Sequence, residues 1–373
     1  MTQPKLELVA LRKEYDGGDV VAVDGIDLTV ERGETVALLG PSGCGKSTTL
    51  NMIVGLEEPT AGDIHIDGRS VIGLAPGKRN IGLVFQDYAV FTHMTVAKNL
   101  SFGLEIGGLP RSEITRRVGE AAELLGLSSL LKEKAAYLGG SQLQRVAIGR
   151  TLVTQPAILL LDEPLSNLEA EARQAMRREL RRLQGKIGLT IIYVTHDQTE
   201  ALSLADRIAV MSAGKIRQYD RTSTVYGDPA HVFVAGFIGS PSMNLVRGEI
   251  RRDGPAISFI SDQLQVPLPS RFAGVAPGHG EPVIFGIRPE NIMITRPGHP
   301  GVTGIVSSVE PRGPEAIVTV RSGNKSLDVV VPAADRPARG DEVVLRIPAD
   351  HIVLFSGETD RNLSLSPILG AAA

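Results

Sequence analysis

The sequence predicts an α/β domain, built on a mainly parallel sheet around a phosphate-binding loop, followed by a small all-β domain. Three observations predict it. Residues 40 to 47 read Gly40-Pro41-Ser42-Gly43-Cys44-Gly45-Lys46-Ser47, a complete G-x-x-x-x-G-K-[ST] loop between an apolar run and a helical pattern. From Leu6 to about Phe237 short apolar runs alternate with helical patterns, as in a parallel sheet covered by helices. After about Ser240 helical periodicity gives way to short alternating runs separated by Gly, Pro and Asp. The expected division is 1–237 and 238–373, with Pro241 close to the boundary.

Composition limits what such a chain can be. With 373 residues, 42% hydrophobic and 22% charged, it can bury ordinary cores and is not a disordered chain. Lys and Arg number 39 against 42 Asp and Glu, so a net charge of −3 gives no general field for nucleic acid or anionic lipid. Cys44 is the single cysteine, which excludes an intrachain disulfide and a thiolate cluster. The start, Met1-Thr2-Gln3-Pro4-Lys5, is polar and no stretch approaches about 18 to 20 consecutive apolar residues, so neither a signal peptide nor a membrane span is expected.

The elements follow in chain order. Thr35-Val36-Ala37-Leu38-Leu39 reads as a buried strand and Ser47-Thr48-Thr49-Leu50-Asn51-Met52-Ile53 as the helix after the loop. A backbone that curls its N–H groups around phosphates needs glycine, because a Cβ would block the nest. Ser42, Gly43, Cys44, Gly45, Lys46, Ser47 and Thr48 are therefore expected to bind a nucleotide. Lys46 would reach the β- and γ-phosphates, the Ser47 hydroxyl would coordinate Mg²⁺, and the helix N-terminus would face the negative charge. Ile81-Gly82-Leu83-Val84-Phe85-Gln86 is a strand with a glutamine at its end. Leu138-Gly139-Gly140-Ser141-Gln142-Leu143-Gln144-Arg145 is a glycine-rich turn opening a helix. Within it Ser141-Gln142-Leu143-Gln144 spells an S-x-x-Q capping box, in which the Ser141 hydroxyl would accept from the Gln144 amide.

Ile158-Leu159-Leu160-Leu161-Asp162-Glu163-Pro164 is an apolar run too short for an ordinary helix, closed by two carboxylates. At the C-terminal end of a central strand Asp162 would hold Mg²⁺, and Glu163 would orient and deprotonate an attacking water. A helix is expected from Glu169 to Lys186, with Ala172, Met176, Leu180, Leu183 and Ile187 inward and Arg177, Arg178, Arg181 and Arg182 solvated. Leu189 to Val194 forms a strand ending at Thr195-His196-Asp197, and Ile208 to Met211 another. In the second domain strands are expected at Val283–Ile287, Ala316–Val320, Leu327–Val331 and Glu342–Ile347, and Ala371-Ala372-Ala373 as a frayed end.

Six of these elements in this order, the Gly40–Ser47 loop, Gln86, Leu138–Gln142, Ile158–Pro164, Ser166-Asn167-Leu168-Glu169-Ala170 and His196, make the chain resemble the ATP-binding subunits of ABC transporters. Phe233-Val234-Ala235-Gly236-Phe237-Ile238-Gly239-Ser240-Pro241 and Gly286-Ile287-Arg288-Pro289-Glu290 further resemble the ATPases of maltose-type carbohydrate importers. The resemblance implies a P-loop ABC ATPase domain with a helical signature region and, after it, an OB-like, TOBE-type regulatory domain. It implies that Tyr15 stacks on adenine, that Gln86 touches Mg²⁺ or its water and senses membrane subunits, and that His196 bonds the γ-phosphate beside Glu163. Gly139, Gly140, Ser141 and Gln142 would bind the γ-phosphate held by another copy of the chain.

The implied assembly is a homodimer sandwiching two molecules of ATP with Mg²⁺. It would sit peripherally on the cytoplasmic face of the bacterial inner membrane, beneath two integral membrane permease subunits fed by an extracytoplasmic solute-binding protein. Its work would be the import of a sugar or sugar derivative. The segment Asp87 to Leu104 would help receive the permeases, with Val90, Phe91 and Met94 exposed for that purpose. Two positions depart from the family: Leu-Gly-Gly-Ser-Gln stands where Leu-Ser-Gly-Gly-Gln is usual, and Glu169 stands where Asp is usual. One rival is an importer of polyamines, iron or another anion. A second is a soluble ABC ATPase acting on nucleic acid or ribosomes, and a third a regulatory protein with degenerate sites. Aromatics at 4% and the absence of Trp deny the soluble rival its stacking platforms, so no nucleic-acid partner is expected.

Overall fold

The computed structural model describes residues 3–262 and 264–364, and the expected frayed end Ala371–Ala373 lies outside them. The chain divides into two compact units, Met1–Thr222 and Ser223–Ala373, each with its own core.

In the first unit β1 (Leu6–Tyr15) and β2 (Val20–Val30) form an antiparallel hairpin in register Leu6↔Val30 and Tyr15↔Val20. β3 (Thr35–Leu39) is buried along its whole length, as an apolar strand with neighbours on both sides must be. α1 (Lys46–Val54) starts at Gly45 and stops at Gly55, both left-handed, where side chains are strained. β4 (Ala61–Ile66) and β5 (Arg69–Ser70) join the hairpin in a four-stranded sheet of order β2-β1-β4-β5. This antiparallel sheet is an addition to the parallel one expected from the sequence.

β6 (Ile81–Val84) precedes three helices, α2 (Val96–Ile106), α3 (Arg111–Leu124) and α4 (Gly140–Leu152), which pack around Leu100, Ala122, Leu125 and Ile148. The chain then returns to the sheet through β7 (Ile158–Asp162), α5 (Ala170–Ile187), β8 (Thr190–Thr195), α6 (Gln198–Leu204), β9 (Arg207–Ser212) and β10 (Lys215–Arg221). The six-stranded sheet has the order β10-β9-β3-β8-β7-β6 and is parallel except at its β10 edge. The C-terminal ends of β3, β6, β7 and β8 therefore lie side by side. They carry the phosphate loop, Gln86, the Asp162–Glu163 pair and His196.

The helix expected from Glu169 to Lys186 is α5, with Glu169 as its N-cap. Met176, Leu180 and Leu183 are buried as expected, whereas Ile187 is 44% exposed because the left-handed Gly188 ends the helix there. The helix opened by the glycine-rich turn begins earlier than the S-x-x-Q reading places it. Gly139 is the N-cap, Gln142 Oε1 accepts from the Gly139 N–H at 3.1 Å, and Ser141 is already the second helical residue. Because the helix already runs from Gly140, Ser141 lies inside it and is not the cap, and its hydroxyl makes no hydrogen bond within the described chain.

The second unit begins within α7 (Thr222–Gly227) and contains α8 (Val232–Phe237). Ten strands follow: β11 (Asn244–Asp253), β12 (Ala256–Ser261), β13 (Leu264–Pro267), β14 (Pro282–Ile287), β15 (Met293–Thr295), β16 (Val302–Arg312), β17 (Glu315–Ser322), β18 (Lys325–Pro332), β19 (Glu342–Arg346) and β20 (Val353–Ser356). They make two antiparallel five-stranded sheets, β13-β12-β11-β14-β20 and β15-β19-β16-β17-β18. The sheets share one core that includes Phe259, Phe285, Val318 and Val329. The four strands expected from alternation in this region are β14, β17, β18 and β19.

Candidate nucleotide site

The site is assembled by strand ends. Leu39, the last residue of β3, leads into Gly40–Gly45 and then directly into α1, so the first amides of that helix border the loop. Gly45 has φ 104° and a Cβ there would lie 2.4 Å from the Ala22 carbonyl oxygen, so only glycine fits. Gly43, at φ 78°, has open space where a Cβ would be and is exposed beside Ser42. Lys46 is 6% exposed, and its Nζ donates to the Gly40 carbonyl at 2.8 Å and the Pro41 carbonyl at 3.0 Å. Cys44 turns its side chain into the core, and burial pushes its thiol up, so it offers a phosphate only its backbone.

Asp162 ends β7 beside this loop. Burial raises its carboxyl above the usual carboxylate range, the charge of Glu163 adds to this, and a hydrogen bond from Ser47 and the charge of Lys46 pull the other way. Its Oδ1 is buried without a hydrogen-bond partner. An orphaned carboxylate oxygen next to a serine hydroxyl is the donor set a phosphate-bound divalent cation uses. Among the described residues no group of three or more His, Cys, Asp or Glu could cage a metal by itself. Mg²⁺ therefore fits here as a partner of phosphate oxygens and not as a resident ion.

Glu163 follows with a left-handed backbone, φ 43°, and its N–H donates to the Val194 carbonyl at 2.9 Å. Its Oε1 lies 3.0 Å from His196 Nδ1, the histidine ring being 57% exposed at the end of β8. Ser166 holds the next turn to Glu163, donating to its carbonyl from Oγ at 2.9 Å and from the amide at 3.2 Å. Asn167 Nδ2 donates to the Gln86 carbonyl at 2.9 Å, which ties the end of β6 to the same turn. The Gln86 side chain is exposed.

The remaining expected residues stand around this centre. Tyr15 ends β1 with Lys13 Nζ 4.9 Å from its ring centroid, on the hairpin whose Ala22 touches the loop at Gly45. Gly139 and Gly140 are exposed, and a Cβ on Gly140 would meet the Leu168 side chain at 3.3 Å. Within one chain the Gly139–Gln142 turn makes no hydrogen bond to the phosphate loop, Asp162 or Glu163 among the described residues. Val90, Phe91 and Met94 are half-buried where exposure was expected, because Phe91 packs edge-on against Phe102 at 4.8 Å and under the Arg150 guanidinium at 4.4 Å. Phe85 is the exposed aromatic instead, at 42%. It borders a cleft of about 170 Å³ lined also by Val84, Tyr88, Phe102 and Arg150.

Sequence reasoning missed a buried network behind His196. Glu200 is 3% exposed, and its Oε2 accepts the Tyr193 hydroxyl at 2.7 Å and the Thr195 hydroxyl at 2.8 Å. Burial, reinforced by Glu200, pushes the Tyr193 phenol well up. The signal available was an acid in a short helix just after a strand that already carries Tyr193 and Thr195 on alternate positions.

Comparison with known proteins gives a consistent result. Residues 23–166 match the ABC transporter family, 239–292 the MalK OB fold domain and 285–355 the TOBE domain. The chain is 44% identical over 357 residues to the sn-glycerol-3-phosphate import ATP-binding protein UgpC of Burkholderia lata, covering 95% of this chain and 98% of that one. It is 42% identical over 369 residues to UgpC 1 of Rhizobium johnstonii, covering 98% of each. Among solved structures, cbiO1 of Clostridium perfringens, described as part of the ABC transporter complex cbiONQ, superposes with a TM-score of 0.57 at 32% identity, over 60% of this chain and 90% of that one.

Proposed function

The chain belongs to the ATP-binding subunits of ABC importers, of the kind that carries a MalK OB fold and a TOBE domain, and from that premise we propose how its site works. It is an ATPase that powers the import of a sugar derivative. The observation that carries the site assignment is the meeting of Glu163 and His196 at 3.0 Å beside an Asp162 whose carboxylate oxygen has no partner in the chain.

ATP binds with its phosphates in Gly40–Ser47, where Ser42, Gly43, Cys44, Gly45 and Thr48 contribute and Lys46 turns from its own loop carbonyls to the β- and γ-phosphates. Tyr15 stacks on the adenine. Ser47, Asp162 and Gln86 would hold Mg²⁺, which would supply positive charge to the triphosphate when bound. Glu163 takes the proton of the attacking water, and its contact with His196 fixes the carboxylate in the direction of attack. His196, held through Nδ1, offers Nε2 to the γ-phosphate. Gly139, Gly140, Ser141 and Gln142 take the γ-phosphate of a second copy, a reading supported by the exposure of the two glycines and by the helix that starts there. The working unit is therefore a homodimer that closes on ATP and reopens after hydrolysis.

That motion serves two integral membrane permeases supplied by an extracytoplasmic solute-binding protein, with this chain peripheral at the cytoplasmic face of the inner membrane. Among the described residues no helix is long and apolar enough to cross a membrane. The cleft beside Phe85 and Gln86 is the proposed seat of the permease contact. The relatives are named for sn-glycerol-3-phosphate, which makes a polyol phosphate the first cargo to assay. The test is extraction of the native complex in detergent and its reconstitution. The chain is expected to come out with permeases, and its ATPase to rise when the binding protein is loaded with that cargo. Recovery with ribosomes or DNA, resistant to moderate salt, would overturn the reading.

A further inference from the structure

Arg173, near the start of α5, has no part in the assignment above, yet it touches both turns that frame Glu163. Its Nε donates to the Leu165 carbonyl at 3.3 Å and its Nη2 to the Leu168 carbonyl at 3.0 Å, the two ends of the turn between β7 and α5. The same guanidinium stands 3.9 Å from Asp197 Oδ2 and 3.9 Å from Glu200 Oε1. Glu200 spends its other oxygen on Tyr193 and Thr195, which leaves Oε1 toward Arg173. Asp197 is fixed as well: its N–H donates to Thr195 Oγ1 at 3.0 Å, and its Oδ1 caps α6 by accepting from the Thr199 amide at 2.7 Å. His196 lies between Thr195 and Asp197, both of which are held in this way.

One cation thus faces the catalytic turn on one side and the histidine turn on the other. The first turn holds Glu163 through Ser166 and the Gln86 backbone through Asn167. The second presents His196 to Glu163. Glu200 is buried with two hydroxyls on Oε2, and the guanidinium adds a positive charge facing its Oε1 at 3.9 Å. A planar fork can donate to two carbonyls in fixed directions while its delocalised charge faces two carboxylates at 3.9 Å, a geometry an ammonium does not hold.

We infer that Arg173 is a positioning residue for hydrolysis, locking the Leu165–Leu168 turn and the His196 turn in one register so that Glu163 and His196 meet. It acts through those two residues, and the inference rests on their assignment above.

The test uses the full chain assembled with its permeases, measuring kcat per bound ATP, KM for ATP and ATP bound per chain. Arg173→Ala should lower kcat per bound ATP about tenfold with KM changed less than about twofold, because orientation is lost and the phosphate cradle is not. Glu200→Gln should cost a similar factor, and the double variant no more than either single one, since the two side chains form one contact. Arg173→Lys, which restores the charge but not the fork, should fall only about threefold. Turnover of the unaltered chain and its loss in Glu163→Gln are measured alongside, so that failure of the site assignment is seen separately. If Arg173→Ala does not fold, Arg173→Lys and Arg173→Gln carry the comparison. An Arg173 variant that binds less ATP or melts earlier, while kcat per bound ATP stays within about twofold, overturns the inference, as do losses that multiply in the double variant.

Discussion

Glu163 is held by its backbone as well as by its carboxylate. A left-handed conformation at a non-glycine residue costs about 1 to 3 kcal/mol, and here the amide bond to Val194 and the contact with His196 offset it. Glu163→Gln keeps that geometry and removes only the proton acceptor. Hydrolysis should fall about 10²- to 10⁴-fold while ATP still binds and the ATP-bound dimer accumulates. Near-normal turnover of the purified variant with Mg²⁺ would move the base elsewhere. Asp162 makes the complementary case. Its raised carboxyl costs stability wherever it is ionised, above its native pKa, and nothing where it is protonated in folded and unfolded chains alike. Asp162→Asn should therefore raise the melting temperature by about 2 °C near pH 8, with the gain shrinking toward about pH 4. The same variant should lose the extra stabilisation that Mg²⁺ gives with ATP, and a variant that melts lower at about pH 8 would contradict the unpaired charge.

At the scale of an element, the proposed dimer places the start of α4 against the second copy. Its first amides follow Gly139, and Ser141 brings a hydroxyl that nothing in the described chain uses. Ser141→Ala should leave the melting temperature unmoved and weaken ATP-driven dimer formation about tenfold, the worth of one charge-assisted hydrogen bond. Sedimentation of the Glu163→Gln background with and without Ser141→Ala measures this, and equal dimer affinities would show the hydroxyl idle. The start of this helix was the least legible feature of the sequence. Ser141 and Gln144 satisfy the spacing of a capping box as well as any pair, and what excludes them is a helix that starts two residues earlier, with Gly139 as its cap and Gln142 reaching back to it. The strand, loop and helix at Thr35–Val54 were legible because glycine geometry and buried strands leave marks in single residues. The antiparallel sheet of β1, β2, β4 and β5 was not, since pairing between Leu6 and Ile66 is set by register across distant segments. Arg173 and Glu200 stayed hidden for the same reason, their meaning lying in carbonyls and carboxylates far along the chain.

For the whole molecule, the proposed division of the site between the phosphate loop of one copy and the α4 start of another would make catalysis a property of association. ATPase activity per chain, measured without permeases, should rise with protein concentration toward a plateau, and Glu163→Gln chains mixed into wild type should depress it more than in proportion to their share. A rate per chain independent of concentration down to the nanomolar range would show a self-sufficient monomer. The second unit carries none of the nucleotide-site residues. Its two sheets close around their own apolar core. Its strands were legible from alternation, while the division of the chain at Thr222 reflects contacts and has no sequence punctuation as plain as Pro241.

The parallel sheet is also unevenly stiff. β3 and β8 pair with strands on both flanks, whereas β6 is a margin that pairs with β7 alone over Ile81–Val84. A strand paired on one side bends for less work than one paired on two, so Gln86 rides on a more compliant strand than the phosphate loop does. Force applied beside Phe85 can then shift Gln86 while the phosphate loop, mounted on β3, stays still. Amide exchange should record this as a gradient, fastest in β6 and slowest in β3, steepened when a load is docked at that margin.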